Sequence, residues 1–234
     1  MSQERAGVSA DSSSSLVDPA RLYPYDGRPR HSAAYLSDRV VQECIRGGGK
    51  GGKILDIGCG DGGIAGSLID AGFDVVGIDP SERGIAIARE KYPSARFETR
   101  SVYDPLPPEL RGYFDAVIAV EVIEHLYSPR TLLRVAHTAL REEGTLILTT
   151  PYHGYFKNLV LAITGKLDAH FTAGWDGGHI KFWSRRSLSA VLKQEHFRVT
   201  DFHGAGRMPG LWKSMILVAT RQANKPLHEA VLDR

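Results

Sequence analysis

The chain holds only two cysteines, Cys44 and Cys59, among 234 residues. That is too few for a disulfide framework, so a reducing, cytoplasmic setting is expected. No apolar run is long enough to cross a bilayer, and the opening MSQERAGVSADSSSS lacks an apolar signal core. Neither sign of charge dominates: 29 Lys and Arg against 27 Asp and Glu leave a formal net charge of +2. A balance of that kind gives no case for a strongly nucleic-acid-binding surface. The remainder, 42% hydrophobic and 24% charged, is the mixture of a soluble globule with a full core. Residues 1–20 are expected to form a disordered, Ser-rich leader, 21–221 one domain, and 222–234 a flexible tail.

Glycine, by contrast, is concentrated where it matters. In KILDIGCGDGG, Lys53 to Gly63, the residues Ile54, Leu55 and Ile57 suit a strand buried on both faces. Gly58, Gly60 and Gly63 then let the backbone turn sharply and approach a ligand at the start of the next helix. The G-x-G-x-x-G spacing alone also fits a nicotinamide or flavin site. Asp56, a carboxylate just before the glycines, suits a cationic ligand better than a pyrophosphate.

Strand and helix patterns then alternate, as in a doubly wound parallel sheet. Strands are predicted over 74–79, 96–101, 114–121 and 144–150, with two more in FRVTDFHGAG and LWKSMILVATR. Helices are predicted over 64–71, from the Ser81 cap to about Lys91, over 130–140, and over 186–195. Asp79 ends the second strand about twenty residues beyond the first glycine, where a carboxylate can accept hydrogen bonds from both ribose hydroxyls. A helix N-cap is the alternative role for that residue.

D-x-G-C-G-x-G resembles the first motif of class I S-adenosylmethionine-dependent methyltransferases. The resemblance implies an α/β, Rossmann-like sheet of seven mostly parallel strands, with helices on both faces and the last strand antiparallel. It also implies S-adenosylmethionine as cofactor, held by Asp56, Gly58, Gly60, Asp79, Ser101, Val102 and Val120. Ser101 stands where the family usually has an Asp.

Glu121, Glu124 and His125 crowd the carboxyl edge of the fourth strand. Two carboxylates and an imidazole this close form a hard-metal site of Mg²⁺ type, or else they cap a helix and make surface hydrogen bonds. E-V-I-E-H-L resembles the E-x-x-E-H motif of ubiquinone-biosynthesis O-methyltransferases and of small-RNA 2′-O-methyltransferases. In the RNA enzymes a later His completes a Mg²⁺ site, which here implies His179, with His170 as competitor. Without a metal, His125 or His153 is the natural general base.

Acceptor selection is expected outside the sheet core. Residues 21–47 read as a lid with Tyr25, His31 and Tyr35 facing the cleft, or as a leading helix packed on the sheet. A long aromatic insert, residues 152–183, contains the short apolar helix NLVLAITG, expected to pack on the core. The balanced charge favours a small-molecule acceptor, most simply a hydroxyl, over RNA. N-methylation of a small amine, RNA 2′-O-methylation and a cofactor-binding scaffold stay open, as does a homodimer.

Overall fold

The computed structural model describes residues 33–171, 173–175 and 177–223. The Ser-rich leader, the first part of the expected lid with Tyr25 and His31, and the tail from residue 224 lie outside them. In chain order the elements are α1 (Ala33–Gly48), β1 (Lys53–Ile57), α2 (Gly63–Asp70), β2 (Asp74–Asp79), α3 (Glu82–Lys91), β3 (Arg96–Thr99) and β4 (Phe114–Val120). There follow α4 (Pro129–Ala139), β5 (Leu140–Pro151), α5 (Tyr155–Ile163), α6 (Leu167–Phe171), α7 (Arg185–Gln194), β6 (Phe197–Ala205) and β7 (Ser214–Arg221).

All seven strands join one sheet in the order β3-β2-β1-β4-β5-β7-β6. The pairs from β3 across to β5 are parallel, and β7 runs antiparallel to both β5 and β6. This is the architecture expected from the sequence. The order reverses between β1 and β4, which is where open α/β sheets take their ligands, at the carboxyl ends of the strands.

Period-two alternation divides the core. Leu55, Ile57, Val76, Val117 and Leu148 pack with Leu132 and Ala136 of α4 and Leu188 and Leu192 of α7. Ile54, Val75, Ile118 and Ile147 pack on the opposite face with Leu36 and Val40 of α1, Leu68 of α2 and Ile85 of α3. Both faces are therefore covered, which explains why the central strands read as near-continuous apolar runs. The carboxylate of Glu43 on α1 is 1% exposed and takes Arg39, Arg46 and His203 of β6 at 2.9–3.1 Å. A buried acid tolerates that position because two guanidiniums meet its charge, with the His203 imidazole beside them.

Two boundaries differ from the sequence reading. β5 begins at Leu140, directly after α4, rather than at Gly144. Its first stretch is charged and exposed, its register against β4 shifts between Phe114 and Ala116, and Glu143 adopts a φ of 57°. That irregular start carries no apolar alternation to reveal it. In the insert, α5 begins at Tyr155 and exposes Tyr155, Phe156, Leu159 and Ile163. The expectation that this apolar helix packs into the core fails for that face.

Candidate functional site

The turn after β1 closes on β2. Gly58 and Cys59 donate their N–H groups to the Ile78 carbonyl at 2.8 and 3.2 Å. Gly58, Gly60 and Gly62 have φ of 77°, 56° and 80°, the left-handed region that favours glycine. A Cβ on Gly58 would also stand 2.5 Å from Cγ2 of Val122, so the turn and the loop after β4 touch there. Gly62 is the left-handed N-cap of α2, while Gly63 is its first helical residue. The conformational demand thus falls on Gly62 rather than on Gly63, as the spacing alone had it.

Asp79 ties this turn to the end of β2. Its Oδ2 accepts the Gly60 N–H at 2.9 Å and its Oδ1 accepts the Ser81 N–H at 2.8 Å. Ser81 is the N-cap of α3, with its hydroxyl accepting the Gly84 N–H at 3.1 Å, so Asp79 does not serve that role. A carboxylate oxygen can accept more than one hydrogen bond. Asp56 is 1% exposed and leaves β1 on the face of Ile54, by alternation. Its charge is close enough to help push the thiols of Cys44 and Cys59 up, after burial itself.

Ser101 and Val102 are buried in a turn beyond β3. The Ser101 N–H is taken by Asp104 Oδ2 at 2.8 Å, and Ser101 Oγ accepts the Tyr103 N–H at 3.2 Å. With its N–H taken by Asp104, Ser101 would meet an adenine edge through its hydroxyl. Val120 ends β4 and is 8% exposed.

The acids of the rim divide between the two faces of the sheet. Glu121 has a φ of 55°, rare for a residue with a side chain. Its N–H meets Thr149 Oγ1 at 3.0 Å, its Oε1 accepts the Thr149 hydroxyl at 2.9 Å, and its Oε2 accepts the Ser214 hydroxyl at 3.2 Å. The Tyr35 hydroxyl lies 2.9 Å from the same Ser214 oxygen. Burial, and then the charges of Glu121 and Glu124, raise the Tyr35 phenol above its usual range against the Ser214 hydrogen bond. Of the expected lid, Tyr35 thus does reach the rim.

Glu124 goes the other way. It sits in a 3₁₀ turn, Ile123–His125, and is 1% exposed, which removes the reading of a surface helix cap. Thr150 donates to its Oε2 at 3.0 Å, and its carbonyl accepts the N–H groups of Ile180 and Lys181 at 2.9 and 3.0 Å. These last bonds pin the insert to the rim and bring His179 in. One ligand atom each from Glu124, His125 and His179 lies within 4.8 Å of the others. The Nε2 atoms of His125 and His179 stand 3.9 and 4.0 Å from Glu124 Oε1.

His125 Nδ1 lies 3.0 Å from the Gly177 carbonyl and 3.2 Å from that of Gly178. Carbonyls only accept, so Nδ1 carries the proton and the Nε2 lone pair faces the cluster. Metal-bound histidines are oriented in this way. Bonds of about 2.1 Å place neighbouring ligands roughly 3–3.5 Å apart, so a small contraction would close the set. Glu121 is not part of it. One carboxylate and two imidazoles suit Mn²⁺, Co²⁺ or Zn²⁺ better than Mg²⁺, which prefers oxygen.

His153 is buried at 7% exposure, stacked on Phe171 at 5.8 Å with an interplanar angle of 13°. Burial first, then Lys157, pushes its pKa down to about 4. An imidazole so depressed is neutral at pH 7 and a poor general base. His170 packs 5.3 Å from His153 and lies outside the Glu124 cluster. Sequence reasoning missed Thr149, Thr150 and Ser214, because nothing local distinguishes them from other strand hydroxyls.

Comparison with known proteins agrees with this geometry. Residues 29–201 match the family model described as methyltransferase domain. A ubiquinone biosynthesis O-methyltransferase of Acinetobacter baylyi is 34% identical over 127 residues, 53% of this chain and 53% of that protein. One from Azorhizobium caulinodans is 32% identical over 172 residues, 70% of this chain and 66% of that protein. The chain spans about half the length of most of the curated relatives it matches. A crystal structure of magnesium protoporphyrin IX methyltransferase from Synechocystis, with bound S-adenosylhomocysteine, superposes with a TM-score of 0.62 at 21% identity. It covers 80% of this chain and 82% of its own. A Burkholderia thailandensis 1,6-didemethyltoxoflavin N1-methyltransferase gives 0.63 at 15% identity, over 83% of this chain and 80% of that one. At such identities the likeness is one of fold. With the family match spanning most of its length, this chain belongs to the methyltransferase domain family, on a class I, Rossmann-like sheet.

Proposed function

We propose that this chain is an S-adenosylmethionine-dependent methyltransferase acting on a hydroxyl of a small molecule. The observation that carries the reading is the joined turn of Gly58, Gly60 and Asp79 at the switch point of the sheet. The named activity of the ubiquinone-biosynthesis relatives supports an oxygen acceptor.

The cofactor supplies an electrophilic methyl on a sulfonium. Asp79, at the carboxyl end of β2 beside the glycine turn, accepts the ribose hydroxyls. Gly58 and Gly60 give the amino-acid tail close approach to the backbone, and Asp56 sets a negative charge beside the cationic centre. Ser101, Val102 and Val120 border the adenine. Glu124, His125 and His179 would hold a divalent ion, which when bound lowers the pKa of an acceptor hydroxyl and templates two adjacent oxygens. Thr150 and the carbonyls of Gly177 and Gly178 orient those ligands. Glu121 and Tyr35 form a separate polar wall on the other face, where they fix the acceptor's orientation.

Turnover assays test this reading directly. Catechols and other vicinal diols should release S-adenosylhomocysteine with added Mn²⁺, and simple amines should not. Turnover confined to amines would overturn the oxygen acceptor.

A further inference from the structure

The insert between β5 and α7 builds a second cavity that the methyl-transfer reading does not use. It has a volume of ≈ 350 Å³ and lies between α5, α6 and the segment leading into β7. Lys157, Lys166, Arg207 and Lys213 line it, and among the described residues no carboxylate does. Lys157 is 5% exposed, an unusual burial for a lysine, and its Nζ donates to the Tyr152 carbonyl at 2.8 Å. Val160, Leu161 and Leu211 supply an apolar part of the wall, and Thr164 a hydroxyl.

Four cations around one hollow repel one another, and Glu121 offsets that repulsion only in part. Burial and the Arg207 guanidinium push Lys157 down to about 8, only partly offset by Glu121. His170 also lines the cavity, and its buried Nε2 has no hydrogen-bond partner among the described residues. On its opposite face, away from the cavity, α5 exposes Tyr155, Leu159 and Ile163. Concentrated positive charge calls for an anion, and the apolar side chains of Val160, Leu161 and Leu211 call for an attached hydrocarbon.

We propose that this cavity binds the anionic head, a phosphate or a carboxylate, of a ligand with an apolar body. Lys157 and Arg207 grip the head, and the walls of α5 take the body. The inference is independent of the methyl-transfer chemistry. The head belongs either to a soluble phosphorylated molecule or to a lipid.

Calorimetry of the full chain with hexyl phosphate tests the site, with inorganic phosphate as reference. Saturable one-to-one binding is expected, at least tenfold tighter than inorganic phosphate. A variant carrying Lys166→Gln and Arg207→Gln, both exposed positions, should weaken it at least tenfold with an unchanged thermal melt. Lys193→Gln on α7 should leave it intact. Co-sedimentation with phosphatidylglycerol but not phosphatidylcholine vesicles, lost in the double variant, identifies a lipid as the source. Hexyl phosphate binding without vesicle binding identifies a soluble ligand. Absent or non-saturable binding, or an unaffected double variant, overturns the proposal.

Discussion

Thr149 and Thr150 are neighbours on β5, and each holds a different glutamate. Thr149 donates to Glu121 at 2.9 Å, and Thr150 donates to Glu124 at 3.0 Å. Successive strand residues face opposite sides of a sheet, so the two acids part. Glu121 turns toward α1 and Ser214, and Glu124 turns toward the insert. The E-x-x-E-H string looks like one ligand set when written out, yet its first acid belongs to another wall.

This division predicts how the variants behave with metal. Glu124→Gln and His179→Ala should each weaken Mn²⁺ binding at least tenfold, read by electron paramagnetic resonance of the free ion. Glu121→Gln should bind Mn²⁺ as the native chain does. A Glu121 variant as impaired as the other two would return that acid to the ligand set.

Asp79 carries two loads. Asp79→Ala should lower affinity for S-adenosylhomocysteine at least tenfold, about 1.4 kcal/mol or more. It also strips two backbone N–H groups of their acceptor, a cost of roughly 1–3 kcal/mol each where no water replaces it. Asp79→Asn keeps an acceptor oxygen and should recover part of the stability but less of the affinity. Calorimetry and denaturant melts separate the two effects. Native affinity in Asp79→Ala would remove the ribose role.

Gly58 is constrained twice, by its φ of 77° and by Val122 at 2.5 Å from a would-be Cβ. Gly58→Ala should therefore abolish measurable cofactor binding. Adding Val122→Ala relieves the clash but not the left-handed backbone, which costs about 1–2 kcal/mol. The double variant should bind, more weakly than native. Equal loss in single and double variants would show that the contact with Val122 is irrelevant.

The imidazole of His153 gives the fold an acid-side weakness. Its pKa is about 4 when folded and 6.5 in the unfolded chain. Between those values the unfolded chain binds more protons, so stability falls as pH drops from 6.5 toward 4 and levels off below. His153→Phe should flatten that part of the curve by on the order of 3 kcal/mol. Urea melts at pH 4.5, 5.5 and 6.5 check this, and parallel curves for variant and native chain would contradict it.

The sheet was legible in the sequence because its central strands are buried on both faces and bounded by glycine, Ser81 or Pro80. Asp79 and the glycine turn were legible because strand, turn and acid lie within one βαβ unit. The rest depends on contacts far apart in sequence. His179 reaches Glu124 only because the Ile180 and Lys181 amides bind the Glu124 carbonyl. The proton on His125 Nδ1 is set by glycine carbonyls more than fifty residues away. The exposed face of α5 was misread for a related reason, since an apolar helix carries no mark of whether a partner element covers it. Thr149, Thr150 and Ser214 gain their roles only when β5, β7 and the rim are assembled.

Titration calorimetry of the purified chain with S-adenosylhomocysteine, and separately with NAD⁺, bears most directly on the proposed activity. One-to-one binding of the nucleoside, lost in Asp79→Ala, and no heat with the dinucleotide is the predicted result. Saturable uptake of NAD⁺ with no response to S-adenosylhomocysteine would contradict it.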